Sequence, residues 1–451
     1  MPHFDEPMPT LRRLTALAIA RAMLAGPPDA DGLAARMRAC LDAHAEWHAP
    51  LALRCSRIGP ERWRALPVRT LATLIERDRG YEEAWLADAK PNARRYILRE
   101  RNGMRPLPLG LHHCQIPYWP HAGALGQWLG VSVGGMWRLT RSADWQRRAP
   151  LIEQHYRYQL IAKRTGGWRL LEVPEPYLMA LQRRVLDDLL DRIPPHEAAY
   201  GYRSERSVVD HARVHTGQAV LLKVDLQDFF AAVRASRVQA LFASLGYPDT
   251  TATELARLCT TATPEPVLRR MHEDGTLSWP QLQRLRDPHL PQGAPTSPAL
   301  ANLCAFRLDL RLDGLARSLG ARYTRYADDI VLSGDRSLRA ALPRIEAWVG
   351  RIALEEGFAL NHRKTHCAMA GRRQSVCNIV VNERVNLPRR EFDRLKAILH
   401  GCVTHGPSSQ NRAAHADWRG HLSGRVAWAA QLNPAKAERL KELLARIDWD
   451  R

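Results

Sequence analysis

The chain has 451 residues, with 66 Lys and Arg against 47 Asp and Glu, a net charge of +19 and an isoelectric point of about 10.1. That length allows two to three domains with ample cores, and that field suits a polyanionic partner. Eight cysteines without a Cys-x-x-Cys pair exclude a disulfide scaffold or zinc finger and suit free thiols in a reducing cytosol, and no run approaches the roughly 20 apolar residues that a membrane span needs.

Residues 1–100 read as a mainly helical region, helical to about residue 90, with breaks at Pro27-Pro28 and Gly59-Pro60. Leu14 to Leu24, preceded by Arg12-Arg13, imitates a signal peptide, but Arg21 interrupts the apolar stretch and an amphipathic helix is expected instead. Trp47, Trp63, Trp85, Trp119, Trp128 and Trp137 could stack on bases, yet in helical surroundings they are expected in the core. Residues 101–150 read as a linker, Arg101-Asn-Gly-Met-Arg-Pro-Leu-Pro-Leu-Gly110, followed by two short helices around a turn within Ala124 to Trp137. His112-His-Cys114 has no second ligand pair at zinc spacing and is not read as a metal site.

In Lys163-Arg-Thr-Gly-Gly-Trp-Arg169 the Gly166-Gly167 pair signals a hairpin turn. Lys163 and Arg169 flank it and could reach phosphate oxygens, although basic residues on a hairpin are commonly just solvated. Tyr177 to Ile193 is expected to be a helix with Leu178, Leu181, Val185, Leu189 and Ile193 on one stripe, stopped by Pro194-Pro195. Val220, Leu221, Leu222 and Val224 form a buried strand ending in Asp225, where the chain turns toward a helix. Residues 261–290 read as an inserted loop. Pro291-Gln-Gly-Ala-Pro-Thr-Ser-Pro298 is a turn feeding a helix, and its glycine lets backbone approach a flat ligand closely. Tyr323-Thr-Arg-Tyr-Ala then runs through Asp328-Asp329 into Ile330-Val-Leu332, two short strands joined at the acidic pair, which would face Asp225.

Two adjacent like charges resist ionisation unless cations neutralise them. An Asp-Asp turn alone is commonly solvated, but phosphoryl transfer to a nucleotide uses two divalent cations about 3.5–4 Å apart, and hard cations take carboxylate oxygens. No Gly-x4-Gly-Lys-[Ser/Thr], His-Glu-x-x-His or Gly-x-Ser-x-Gly motif offers a second chemistry.

Leu221-Leu-Lys-Val-Asp225-Leu-Gln-Asp228-Phe-Phe230, the Pro291–Pro298 box and Tyr326-Ala-Asp-Asp329, in this order, resemble the catalytic centre of a reverse transcriptase. The resemblance implies an α+β right-hand polymerase fold behind the helical N-terminal region. Its fingers would span 151–222, its palm 223–385 with an insertion at about 261–290, and its small helical thumb 386–451. It implies that Asp225 and Asp328 hold two Mg2+ ions, for which Mn2+ can substitute, with Asp329 beside them and the Leu226 backbone carbonyl nearby. Phe230 would exclude the ribose 2′-hydroxyl, Gln292 would contact the incoming dNTP with Gly293 giving it room, and Tyr326 would share that nucleotide site. Lys163 and Arg169 would hold the triphosphate. Lys364, in Leu360-Asn-His-Arg-Lys364-Thr365, would protonate or stabilise the leaving pyrophosphate. In the thumb, Phe392, Leu395 and Leu399 would point inward and leave Arg389, Arg390, Arg394 and Lys396 for the phosphates of a duplex. Asn433 and Pro434 would open the last helix, with Leu440, Leu443, Leu444 and Ile447 as its apolar stripe.

The overall pattern is similar to that of bacterial retron enzymes, which copy part of a small structured RNA into DNA joined to it by a 2′,5′ branch. Ala199-Tyr-Gly-Tyr-Arg-Ser-Glu-Arg-Ser-Val208, His211-Ala-Arg-Val-His215 and Asn378-Ile-Val-Val-Asn382 carry that likeness. The chain departs from it where His211 replaces the usual Asn of Asn-Ala-x-x-His, and where Val376-Cys377-Asn378 replaces Val-Thr-Gly. Both pieces are associated in the family with recognising the cognate RNA, so His215 is expected to bind nucleic acid. Implied partners are a structured non-coding RNA template and primer, its DNA product, dNTPs, and a separately encoded effector in phage defence, with no membrane and a cytoplasmic location. The enzymatic alternative is a defence-associated or group II intron-type enzyme with ordinary 3′ priming; the absence of an appended nuclease or integrase counts against a self-mobile intron enzyme. The alternative of another class is a non-catalytic RNA-binding scaffold, against which the complete set of Asp225, Phe230, Gln292, Asp328 and Asp329 argues.

Overall fold

A computed structural model describes residues 10–59, 62–63, 66–87, 90–95, 104–162, 168–273, 275 and 278–450. The chain divides into two compact units, Met1–Pro194 with Val233–Leu300, and Pro195–Ala232 with Ala301–Arg451.

The first unit opens with the helices Leu11–Met23, Ala30–Leu41, His48–Ser56, Val68–Glu76 and Arg79–Leu86. Thr10, Asp29 and Asp78 cap three of them by accepting backbone N–H groups of the first turn. Their shared core is built from residues such as Ile19, Met23, Leu33, Met37, Leu71, Ile75 and Tyr81, all fully buried. The first helix is more deeply buried than an amphipathic helix: from Thr15 to Met23 only Arg21 is exposed, because the alanines at 16, 18, 20 and 22 let neighbours pack closely on several sides. None of the seven tryptophans of residues 1–150 is exposed, and Trp63 and Trp119 are almost completely buried. The Pro60 part of the expected break and most of the expected 101–110 linker's start lie outside the described residues.

Two short helices, Ala122–Leu129 and Val133–Leu139, form the expected pair, capped by His121 and Ser132. Strands β1 (Tyr156–Ala162) and β2 (Trp168–Pro174) then pair antiparallel, with Tyr156 opposite Pro174 and Ala162 opposite Trp168. Their turn, with Lys163 and Gly166-Gly167, lies outside the described residues. The next α-helix is shorter than its apolar stripe suggests. It runs Pro176–Asp188 and tightens into a 3₁₀ turn at Leu190–Arg192, yet Leu178, Leu181, Val185, Leu189 and Ile193 are all buried.

Residues 261–290 are not a loop. They form helices Glu265–Glu273 and Trp279–Arg286, whose Leu268, Met271 and Leu282 pack with Leu170 of β2 and against Tyr158 and Leu160 of β1. The two compact units divide the chain at other places than the expected boundaries: residues 233–300 group with the β1–β2 hairpin, and 195–232 group with 301–451.

The second unit is built on a four-stranded sheet in the order β4-β5-β3-β6, from β3 (Val220–Asp225), β4 (Arg322–Tyr326), β5 (Asp329–Gly334) and β6 (His366–Met369). β3 lies between β5 and β6, antiparallel to both, which explains its near-continuous burial from Val220 to Val224. A small hairpin, β7 (Ser375–Val376) with β8 (Ile379–Val380), turns at Cys377 and Asn378, both left-handed with φ of 44° and 64°. The C-terminal helices Arg389–His405, Trp418–Leu432 and Pro434–Ala445 bury Leu395, Leu399, Leu422, Val426 and Leu440 together. Phe392 is only partly covered, and Asn433 caps the last helix by accepting from the Lys436 N–H. Among the described residues no helix is long and apolar enough to cross a membrane.

Candidate active site

The antiparallel register of β3 and β5 sets Asp225 directly opposite Asp329, and Ala327-Asp328 form the turn between β4 and β5. The Leu226 N–H donates to the Asp328 carbonyl at 2.9 Å, and the Asn361 N–H donates to the Asp225 carbonyl at 2.8 Å, so the strand end is tied on both sides. The result is three carboxylates at one end of the sheet, with Asp225 only 6% exposed. Burial first, and then the charges of Asp225 and Asp329, push the Asp328 carboxyl up to about 6. Burial also raises Asp329, with Asp225 adding to it and Lys223 opposing.

The Lys364 ammonium, carried by the short turn His362–Lys364, donates to Asp225 Oδ2 at 2.8 Å. Burial pulls this lysine's pKa down, but the hydrogen bond and charge of Asp225, with Asp328 and Asp329 behind it, outweigh that and raise it. Cys377 completes the surroundings: its thiol lies 3.8 Å from Asp329 Oδ2 and is pushed up to about 12, by burial and then by Asp329, so it serves as a neutral donor.

This donor set fits divalent cations. Hard cations take carboxylate oxygens, and Mg2+ in particular is held by one or two carboxylates with water and substrate phosphate rather than by an all-protein cage. Among the described residues no group of three or more His, Cys, Asp or Glu side chains is already arranged to hold a metal ion. Like charges crowded against one another, which Lys364 and Lys223 offset only in part, are what an incoming cation would relieve.

Behind the turn, Arg325 is completely buried. Its Nε and Nη2 donate to the two Asp309 oxygens at 2.7 and 2.6 Å, and its Nη1 donates to Asn302 Oδ1 and to the Ala327 carbonyl, both at 3.0 Å. The Tyr323 hydroxyl also donates to Asp309, and the Asn302 amide donates to the Gly201 carbonyl at 2.8 Å. Gly201 is required there, since a Cβ would come within 2.7 Å of the Ala327 nitrogen.

The expectation that His215 touches nucleic acid is corrected. Its ring is fully buried, hydrogen-bonded through Nδ1 to Ser333 Oγ and through Nε2 to Thr324 Oγ1, both at 2.6 Å, and His211 Nδ1 shares that Thr324 hydroxyl at 2.9 Å. Burial drives both imidazoles well below their ordinary range, His211 to about 3, so they are neutral struts behind β4 and β5.

Phe229 and Phe230 diverge. Phe229 stacks on Phe358 at 5.6 Å, whereas Phe230 is half-buried with its ring 6.0 Å from Tyr202, which lies 6.5 Å from Tyr326. Tyr202, from the Ala199–Val208 stretch but not among the expected site residues, thus joins Phe230 and Tyr326 in one aromatic group, its backbone left-handed at φ 58°.

In the other unit, the Glu172 N–H of β2 donates to the Gln292 carbonyl at 2.9 Å, and Gly293, at φ 138°, passes so close to the Glu172 carbonyl that a Cβ would meet it at 3.0 Å. Glu172 is itself buried, accepting from Thr263 at 2.7 Å and pairing with His289 at 2.8 Å. Arg169 is exposed on β2. The structure therefore gathers Asp225, Phe230, Tyr326, Asp328, Asp329 and Lys364 in one unit and Arg169, Gln292 and Gly293 in the other. Arg389, Arg390 and Arg394 are exposed on the Arg389–His405 helix and Lys396 is half-buried.

The Glu172–His289 pair gives a pH prediction. Burial alone would depress His289, but the charge and hydrogen bond of Glu172, helped by Asp287, raise it above its ordinary value of 6.5. A raised folded pKa contributes stability that is fully present below the unfolded value and lost as pH rises through the folded one. The melting temperature should therefore fall from mildly acidic to alkaline pH, and His289→Gln should flatten that slope; a slope unchanged in the variant would contradict it.

A strand-end aspartate facing an acidic hairpin turn across an antiparallel sheet, with a basic residue and an aromatic group beside it, defines a right-hand nucleotide polymerase. The family model for reverse transcriptases (RNA-dependent DNA polymerases) matches residues 161–398, more than half of the chain. The retron Mx65 reverse transcriptase of Myxococcus xanthus is 40% identical over 332 residues, covering 72% of this chain and 71% of that protein. The retron Mx162 enzyme of the same organism is 32% identical over 405 residues, 86% of this chain and 76% of that one, and the retron Ec86 enzyme of Escherichia coli is 30% identical over 318 residues, 69% and 88%. The chain belongs to the reverse transcriptase family, and within it to the bacterial retron type: it is an RNA-directed DNA polymerase.

Proposed function

We propose that the protein copies a structured non-coding RNA into single-stranded DNA that stays joined to that RNA, by two-metal phosphoryl transfer at Asp225, Asp328 and Asp329. The observation that carries this reading is the convergence of the three carboxylates on one sheet end, with Lys364 as their counter-charge. When bound, two Mg2+ ions would activate the attacking hydroxyl and neutralise charge on the leaving oxygens. Asp225 and Asp328 would hold them, with Asp329 and the Leu226 carbonyl alongside. A priming hydroxyl on the RNA loses its proton to solvent and attacks the α-phosphate in line; the new O–P bond forms as the bond between the α-phosphorus and the oxygen bridging to the β-phosphate breaks, and pyrophosphate leaves. Lys364, which donates to Asp225 Oδ2, would give a proton to that pyrophosphate or offset its negative charge.

Gln292 and Gly293 shape the nucleotide site, while Lys163 and Arg169 hold the triphosphate. Tyr326 and Phe230 bound the sugar. Arg389, Arg390, Arg394 and Lys396 grip the duplex backbone without reading its sequence. We read this synthesis as part of phage defence, in the cytoplasm and beside a separately encoded effector, a reading that the likeness to retron enzymes supports; the free cysteines suit that compartment.

Primer extension on an RNA template tests the activity: incorporation of dNTPs, dependent on Mg2+ or Mn2+, is expected, and no incorporation under any priming would remove the reading. Phe230→Ala should raise use of a ribonucleotide relative to its deoxynucleotide by about tenfold or more, read as the ratio of kcat/KM values. An unchanged ratio would remove Phe230 from sugar selection.

A further inference from the structure

We propose that Arg325 is a positioning residue for polymerisation, a buried clamp that fixes the Asp328 turn through the Ala327 carbonyl. The inference rests on the reading of Asp328 as a metal-holding carboxylate.

Three observations carry it. First, Ala327 has a left-handed backbone, φ 56°, a conformation that a residue with a Cβ adopts only when its surroundings enforce it. Asp328 follows immediately, so the direction of its carboxylate depends on that torsion. Second, the surroundings that enforce it converge on Arg325. Its side chain holds the Ala327 carbonyl, its N–H donates to the Ala198 carbonyl and its own carbonyl accepts from the Tyr200 N–H, both at 2.8 Å. Gly201 then lies against the Ala327 nitrogen, held by Asn302, which also receives Arg325 Nη1. Third, the ion pair with Asp309 is fully desolvated on both sides, 0% exposed. Buried pairs of this kind are weak sources of stability compared with apolar residues of similar volume, and their best-supported use is to specify one geometry. Here the planar fork takes Asp309 with one edge and reaches Asn302 and Ala327 with the other, a span that a single ammonium lacks.

The decisive variant is the double replacement Arg325→Met with Asp309→Leu, which removes both charges and leaves neither uncompensated. If the pair served stability alone, the double variant would keep wild-type turnover. The clamp predicts a folded protein whose melting temperature falls less than that of Arg325→Met alone, unchanged RNA affinity and KM for dNTP, a kcat lowered by about 10²-fold through misplacement of the turn, and Mn2+ binding, followed by electron paramagnetic resonance without substrate, weakened by about tenfold. Wild-type kcat and Mn2+ affinity in a folded double variant would overturn it.

Should the double variant not fold, Arg325→Lys separates the roles, since it keeps a charge for Asp309 but loses the arm to Ala327. A lowered kcat at unchanged melting temperature supports the clamp, and wild-type kcat overturns it. If the wild-type protein itself extends no primer, the polymerase reading fails, and Mn2+ affinity alone then judges the clamp.

Discussion

Asp328→Asn should reduce DNA synthesis by about 10³-fold or more while leaving RNA affinity within about twofold of wild type. The amide keeps the size of the carboxylate and can still hydrogen-bond, so the turn between β4 and β5 should persist; what it loses is the charge that attracts a cation. Asp225→Asn should act similarly and also weaken the hold on Lys364, whose ammonium sits 2.8 Å from Asp225 Oδ2. Neither substitution should lower the melting temperature by much, and Asp328→Asn should raise it if anything, because it removes a like charge from beside Asp225 and Asp329. That pairing of lost synthesis with kept or improved stability is what separates a catalytic group from a structural one. Synthesis at the wild-type rate in either variant would remove the residue from the metal set.

The single substitution Arg325→Met should have the largest effect on stability in the second unit, about 3–5 kcal/mol. It strands Asp309, which is completely buried and accepts from both arms of the guanidinium and from Tyr323. Chemical denaturation followed by a probe in that unit should show the midpoint falling sharply, and adding Asp309→Leu should recover most of it. Additive losses in the double variant would contradict this account of the pair.

The parts of the site that announce themselves in sequence are those whose chemistry is local. The apolar run ending in Asp225 and the strand–Asp–Asp–strand pattern around Asp328 each specify their own conformation, and the sheet register only brings them together. Arg325 and His215 were illegible for the opposite reason. A charged or polar side chain reads as solvent-facing until its partners are known, and those partners, Asp309 and Asn302 for one and Thr324 and Ser333 for the other, come from distant segments. The helices at Glu265–Glu273 and Trp279–Arg286 hid behind a high content of charged residues, although Val267, Leu268 and Met271 already had helical spacing. The unit boundaries were hidden because Val233–Leu300 folds with a hairpin from which residues 195–232 separate it along the chain. Cys377 could not be placed by pattern, since its contact with Asp329 depends on a turn with two left-handed residues.

The most direct test of the central claim is to purify the protein from cells carrying its native locus and sequence the nucleic acid that accompanies it, before and after treatment with RNase and a 2′,5′-debranching enzyme. A short DNA of fixed sequence, released only by one of those treatments and absent from the Asp328→Asn protein, is the predicted result. Heterogeneous DNA, or none, alongside active primer extension in vitro would contradict RNA-linked synthesis and indicate a reverse transcriptase that primes from an ordinary 3′ end.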